Sequence, residues 1–238
     1  MKILLPFLLP LLLGIVCGVL IAAGALYFNP IAMGTLSPLA VSGRQQVVLN
    51  YSAVPGEAIV FTNDGESRTA PQPSKVSQLW EAPIRQTTVL VTALKDHQGS
   101  TVGVGVKFSS LSEATRLLNN EAIVESAWHI ALPRQGTLQI GQTENHWNYL
   151  REIVLPAYWN AADSWKGNWR GLLSSGPNAL GTARVYGGSG RYAGTLLEAA
   201  EYLSATAYSA RTGPVAADGQ LVIELPQDQT RVAGDAEP

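Results

Sequence analysis

From Ile3 to Phe28 the chain carries no charged residue, and Leu, Ile, Val, Ala and Gly dominate these 26 positions. A hydrocarbon layer of about 30 Å is crossed by about 20 helical residues, because in lipid each backbone amide must find its partner within its own segment. This stretch is long enough to span with tilt. Pro6 and Pro10 fall in its first third, where proline kinks a helix or leaves its first residues at the interface, and Tyr27 suits the far interface. The expectation is a transmembrane anchor over residues 1–28 and a linker over 29–38 spaced by Pro, Gly and Ser.

A cleavable leader is the rival reading, since Ala23-Gly24-Ala25 offers small residues at the spacing a signal peptidase reads. Against it, the apolar run is far longer than the roughly 7–15 residues of such a leader's core. Cys17 follows Ile15 and Val16, bulky where lipid attachment wants small residues, so it reads as a small apolar residue of the span. Lys2 and the terminal amine precede the span, and no cation follows until Arg44. That bias places the N-terminus in the cytoplasm and the body in the periplasm, on a bacterial inner membrane.

A net charge of -2, with no long run of Lys or Arg, leaves nucleic acid out of the expected partners. Cys17 is the sole cysteine, so the body can form neither a disulfide nor a thiolate metal site. No His, Asp and Glu spacing suggests a metal, and no cofactor motif is present. The glycines at 188, 190 and 194 have the wrong spacing for a dinucleotide loop, and Arg191 breaks a nucleophile elbow around Ser189.

Short alternating runs separated by turn chemistry begin at about Leu39. Val47, Leu49 and Tyr51 share one face, Pro55-Gly56 supplies a turn, Ile59 and Phe61 point to one side, and Asn63-Asp64-Gly65 reverses the chain. Val89, Val91 and Ala93 share a face of the next run. Then Val102, Val104, Val106 and Phe108 oppose Thr101, Gly103, Gly105 and Lys107, which predicts a half-buried strand with its valines inward. The turn between the two runs is Lys95 to Gly99. An immunoglobulin-like β-sandwich over 39–109 is the expected fold. The order Pro55 to Gly65, then Ala82-Pro83-Ile84, then Thr87 to Ala93 resembles the C-terminal immunoglobulin-like domain of chitobiases and β-hexosaminidases, a module that is generally an accessory or spacer. That resemblance implies a fold and no activity, and His97 reads as a solvated turn residue.

Ser110 with Glu113 matches a capping box, and Leu111, Ala114, Leu117 and Leu118 form an apolar stripe, so a short linker helix is expected. A second module over 110–226 follows. Val124, Trp128 and Ile130 alternate with Glu125 and His129, and Thr137 to Gly141 is a further strand. Asn145 to Leu155 reads as helix with Trp147, Leu150, Val154 and Tyr158 along one side, ended or bent by Pro156. Trp169, Gly171 and Leu173, then Ala183 and Val185, restore the period of two. A closing hairpin sets Leu203, Ala205 and Ala207 against Tyr202, Thr206 and Tyr208, turns near Asp218-Gly219, and returns through Leu221, Ile223 and Leu225. Residues 227–238 have too little apolar content to pack and are expected to be disordered.

Val185 to Gly194, with Gly187-Gly188-Ser189-Gly190 at its centre, resembles the glycine-rich hairpin of allene oxide cyclase and dirigent-like β-barrels. The resemblance implies an antiparallel β-barrel-like module with one helix, and no catalytic residue of those families is matched.

The aromatic residues are locally concentrated. Trp147, Trp159, Trp165 and Trp169 fall within 23 residues, with Tyr149 and Tyr158 among them and Lys166 and Arg170 interleaved. They either cover one end of a barrel or, as candidate ligand-binding residues (Trp147, Trp159, Trp165, Trp169 and Tyr158), line a cleft for a sugar or flat apolar ligand. The whole is a mainly β protein, read first as a membrane-anchored envelope protein with a non-enzymatic binding or scaffold role toward an envelope protein. The alternatives are a glycan-binding accessory protein and a barrel-type enzyme using Glu125, His129 or another residue.

Overall fold

A computed structural model describes residues 13–22, 24, 45–54, 58–62, 76–78 and 87–225. The strands are β1 (Gln46–Ser52), β2 (Ala58–Thr62), β3 (Val76–Gln78), β4 (Thr87–Lys95), β5 (Thr101–Leu111), β6 (Ile123–Leu132), β7 (Gly136–Asn145), β8 (Ser164–Leu172), β9 (Ser174–Gly176), β10 (Ala183–Gly188), β11 (Leu197–Ser209) and β12 (Gly213–Glu224). They form a single sheet in the order β1-β12-β11-β10-β7-β6-β5-β4-β2-β3. Pairing of β1 with β4 through Asn50 and Lys95 closes the first eight of that order into a barrel. β8 adds to β11, and β9 adds to β7.

This closure corrects the expected separation of sandwich and barrel. β4, β5, β6 and β7 are consecutive antiparallel neighbours, with Ser110 opposite Glu125 in the β5–β6 ladder, and β1 pairs with β12 along its whole length. An immunoglobulin-like sandwich standing apart from the barrel is therefore not found among the described residues. A strand edge gains more by pairing with the next hydrogen-bonding edge than by ending at a module boundary. The linker helix is corrected for the same reason. β5 runs on to Leu111, and the turn beyond it holds only a 3-10 segment, Leu117–Asn119, with Leu117 and Leu118 exposed.

The interior is layered. At one end Leu49, Leu94, Ile130, Leu138, Ile140, Val185, Ala199, Leu221 and Ile223 make an apolar core. At the other, Leu203, Ala205, Tyr208 and Ala217 pack with Trp169, Leu173 and a helix whose parts are Trp147–Tyr149, a π turn at Leu150–Val154, and Leu155–Trp159. Between the two lies a polar layer. The face of the helix turned to this core is Tyr149, Ile153 and Ala157, four residues apart, whereas Tyr158 is exposed. Pro156 is accommodated just after the π turn and does not end the helix.

Two inner faces are the reverse of the alternation read from sequence. In β5 the buried residues are Gly103, Gly105 and Lys107, while Val104 is 49 % exposed. In β4 they are Thr92 and Leu94, with Val89, Val91 and Ala93 on the other side. Bulky side chains from the neighbouring strand take the interior space: a Cβ on Gly105 would lie 2.7 Å from the Trp128 ring, and one on Gly103 2.7 Å from Leu132. The expected turn at Asp218-Gly219 is likewise inside β12, where Gly219 lies under the Tyr51 ring. The hairpin reverses at 210–212 instead, with Gly213 at φ 79°.

Residues 13–22 are helical and exposed. Among the described residues no helix is long and apolar enough to cross a membrane. Most of the 1–28 segment, the 29–38 linker and the 227–238 tail lie outside the described residues.

Candidate functional site

Six of the strands deliver polar side chains to the middle of the barrel. β1 supplies Tyr51, β5 Lys107, β6 Ser126 and Trp128, β7 Gln142 and Glu144, β9 Ser174, and β11 Glu201, all of them buried. Lys107 Nζ lies 2.7 Å from Glu144 Oε1 and 2.7 Å from Glu201 Oε1. Glu201 also accepts from the Tyr51 hydroxyl, from Gln142 Nε2, and from Trp128 Nε1 at 3.0 Å. Glu144 accepts from Ser126 Oγ and, at 2.9 Å, from Gln142 Nε2. Ser174 Oγ donates to Gln142 Oε1 at 2.7 Å and receives the Glu201 amide at 2.8 Å. Every lone pair so engaged offsets part of the cost of removing charge from water.

The layer reaches the surface at His146, the residue before the helix. Its Nε2 is 2.7 Å from Glu144 Oε2, and its side chain is 26 % exposed. The cluster therefore sets one lysine and two carboxylates in the interior, with an imidazole at the outlet. Burial by itself would raise the Glu144 pKa, but the Lys107 charge and the His146 hydrogen bond outweigh it and hold the carboxyl below its ordinary 4.5. Burial would lower the Lys107 pKa, and the two carboxylates reverse that and push it above 10.5. Burial, then the charge of Glu201, drives the Tyr51 hydroxyl well above 10, so it stays a donor.

Because Glu144 titrates lower in the folded chain than in the unfolded one, its contribution to stability is complete above pH 4.5 and is lost as pH falls below it. Urea midpoints are expected to be level from pH 7 to about 5 and to drop steeply below. A Glu144→Gln chain is expected to lose part of that acid dependence.

The tryptophans singled out from sequence differ in their setting. Trp169 is buried, its ring edge-on to Tyr149 at 5.6 Å, and its Nε1 donates to Glu152 Oε2 at 2.7 Å. Trp165 packs partly against the same core. Trp147 is half-buried, and Trp159 and Tyr158 project from the end of the helix, Trp159 71 % exposed. Glu125 and His129 stand on the outer face, Glu125 accepting from Thr143 Oγ1 at 3.1 Å and His129 edge-on to Phe108. Neither joins the interior cluster. No group of three His, Cys, Asp or Glu among the described residues is placed to hold a metal ion.

Sequence reading passed over Lys107, Gln142, Glu144 and Glu201. The only available signal was a polar residue recurring on what is now the inner face of successive strands, and it becomes visible only once the barrel register is known.

No protein-family model matches the chain, and no curated protein matches it either. Among solved structures, a heme-binding cyclase that catalyses a cycloaddition in neoabyssomicin biosynthesis aligns at TM-score 0.37 and 11% identity, over 91% of this chain and 83% of its own. A Diels-Alderase from Streptomyces koyangensis aligns at 0.37 and 12% identity, over 90% and 84%. A pterocarpan synthase dirigent protein aligns at 0.34 and 10% identity, over 78% and 86%. These likenesses are faint, and none of them states what this chain does.

Proposed function

We propose that the barrel is an acid–base catalyst acting on a small organic molecule at His146, with Glu144 behind the imidazole. The observation that carries this reading is the 2.7 Å Glu144–His146 pair at the outlet of an otherwise buried polar layer. A carboxylate bonded to one ring nitrogen orients an imidazole and stabilises the cation formed when the other nitrogen takes a proton. The rest of the layer fixes Glu144 from three further sides through Lys107, Ser126 and Gln142. A barrel interior serving stability alone would gain as much or more from apolar residues of similar volume, since buried ion pairs seldom repay their desolvation. Buried clusters of charged groups with displaced pKa values are found preferentially at working sites.

The test is deuterium exchange in D2O at the α-carbon of simple ketones such as cyclohexanone and 2-tetralone, followed by proton NMR. The chain is expected to accelerate exchange about a hundredfold over buffer. His146→Gln should return the rate to background and Glu144→Gln should lower it, with near-ultraviolet circular dichroism unchanged. Rates equal to buffer for every ketone would remove the reading.

The same proposal keeps the barrel on a membrane through the uncharged segment between Ile3 and Phe28. Full-length chain is then expected to stay with the membrane pellet through alkaline carbonate extraction and to be cut by protease added to spheroplasts. Release into the supernatant would contradict the anchor.

A further inference from the structure

Six buried side-chain atoms of the described residues have no hydrogen-bond partner, and four of them belong to one turn of helix: Trp147 Nε1, Asn148 Oδ1, Tyr149 OH and Arg151 Nη1. Native proteins leave few such atoms, because each forfeits its hydration for nothing. Arg151 is the sharpest case. It is 3 % exposed, and a guanidinium cannot shed its charge.

Its only salt-bridge partner among the described residues is Glu152, whose Oε1 lies 2.5 Å from Nη2 and whose side chain is 41 % exposed. The other oxygen of Glu152 accepts from Trp169 Nε1 at 2.7 Å. Trp169 thus orients Glu152, Glu152 orients Arg151, and one guanidinium arm is left held in place without an acceptor. This arm lies in a π turn, a widened helical turn often found at functional sites. The turn begins at Leu150, whose amide donates to the carbonyl of His146 at 3.0 Å.

We propose that Arg151 is the recognition element for a carboxylate on the ligand, so that the molecule taken by this barrel is a small apolar organic acid. Trp147 and Arg151, four residues apart, stand on one side of the helix, so their unpartnered donors suit one acceptor-rich group, while Tyr149 and Trp169 lie in the adjoining core. The inference rests on the reading of Glu144 and His146 as a working pair and adds the substrate class. Arginine is suited to the task, since its planar fork meets a carboxylate through two parallel bonds and lysine cannot reproduce this.

The test is calorimetric binding of 3-phenylpropionate and of its neutral counterpart 3-phenylpropanol to the full chain. The acid is expected to bind saturably and at least about tenfold more tightly than the alcohol. Arg151→Met should remove that preference, Arg151→Lys should lower it several-fold, and Glu152→Gln should weaken acid binding without altering the alcohol. Should Arg151→Met fail to fold, the comparison of acid with alcohol on the unaltered chain still decides. Equal binding of the two probes, an unchanged preference in Arg151→Met, or no saturable acid binding up to about 10 mM overturns the proposal. Binding involves no proton transfer, so acid preference without ketone exchange would retain Arg151 and discard the catalytic reading, and the converse result would do the opposite.

Discussion

Replacing Lys107 with Met is expected to lower the unfolding free energy by about 3–5 kcal/mol, the cost of leaving a buried charge without its partner. Lys107 is the cation that two interior carboxylates share, at 2.7 Å each. Met keeps the length of the stem and removes the charge, so the loss reports electrostatics more than volume. Glu144 and Glu201 would then face each other's field with only neutral donors and His146 to relieve it, and the barrel would respond by taking up a proton. The measurement is urea denaturation at pH 7, with a lowered midpoint at constant slope. Adding Glu201→Gln to Lys107→Met should recover part of the loss, because the double change removes one of the stranded charges and the two sites are coupled. A midpoint unmoved by Lys107→Met would mean that the carboxylates carry no net charge in the folded chain, and the electrostatic account of this layer would be wrong.

Gly105→Val is expected to destabilise by about 1–3 kcal/mol or more, whereas Val104→Thr, one position away, should stay within about 0.5 kcal/mol. The asymmetry follows from which face of β5 looks inward. A Cβ at Gly105 would meet the Trp128 ring at 2.7 Å and Leu94 at 3.2 Å, and valine adds two more carbons. Trp128 cannot withdraw, since its Nε1 is tied to Glu201 and the Tyr51 ring stands edge-on to it at 4.9 Å. Val104 faces outward and is half exposed, so a hydroxyl there stays in water. Thermal unfolding of the two variants beside the parent chain decides the matter. Equal tolerance at both sites would return the valines to the interior.

That pair of residues also marks how far a pattern of alternation reaches. The strands β1, β6, β11 and β12 were legible, and in β1, β6 and β12 the expected inner faces were right: Leu49 and Tyr51, Trp128 and Ile130, Leu221 and Ile223 are buried as their periodicity requires. β11 was legible up to the irregularity between Ala205 and Ala207, which turns Tyr208 into the core with Leu203 and Ala205. β5 has an equally clean alternation with the opposite meaning, because the alternation says which residues share a face and not which face is inside. The large ring of Trp128 has to lie over something small, and Gly105 and Gly103 are what the neighbouring strand provides.

The period-two runs, the turn residues and the apolar opening segment were local properties, and the sequence by itself determined from them a mainly β body, a barrel hairpin near Gly187 and one helix after β7. Where β1 finds its partners, β12 along its length and β4 at one point, was decided only by closure of the sheet, which joins strands some 170 positions apart. Closure also created the candidate site. Lys107, Glu144 and Glu201 are unremarkable polar residues in three separated stretches, and their charges acquire meaning only because the barrel excludes water around all three at once. Coulombic coupling depends on distance and dielectric, and neither is written along the chain.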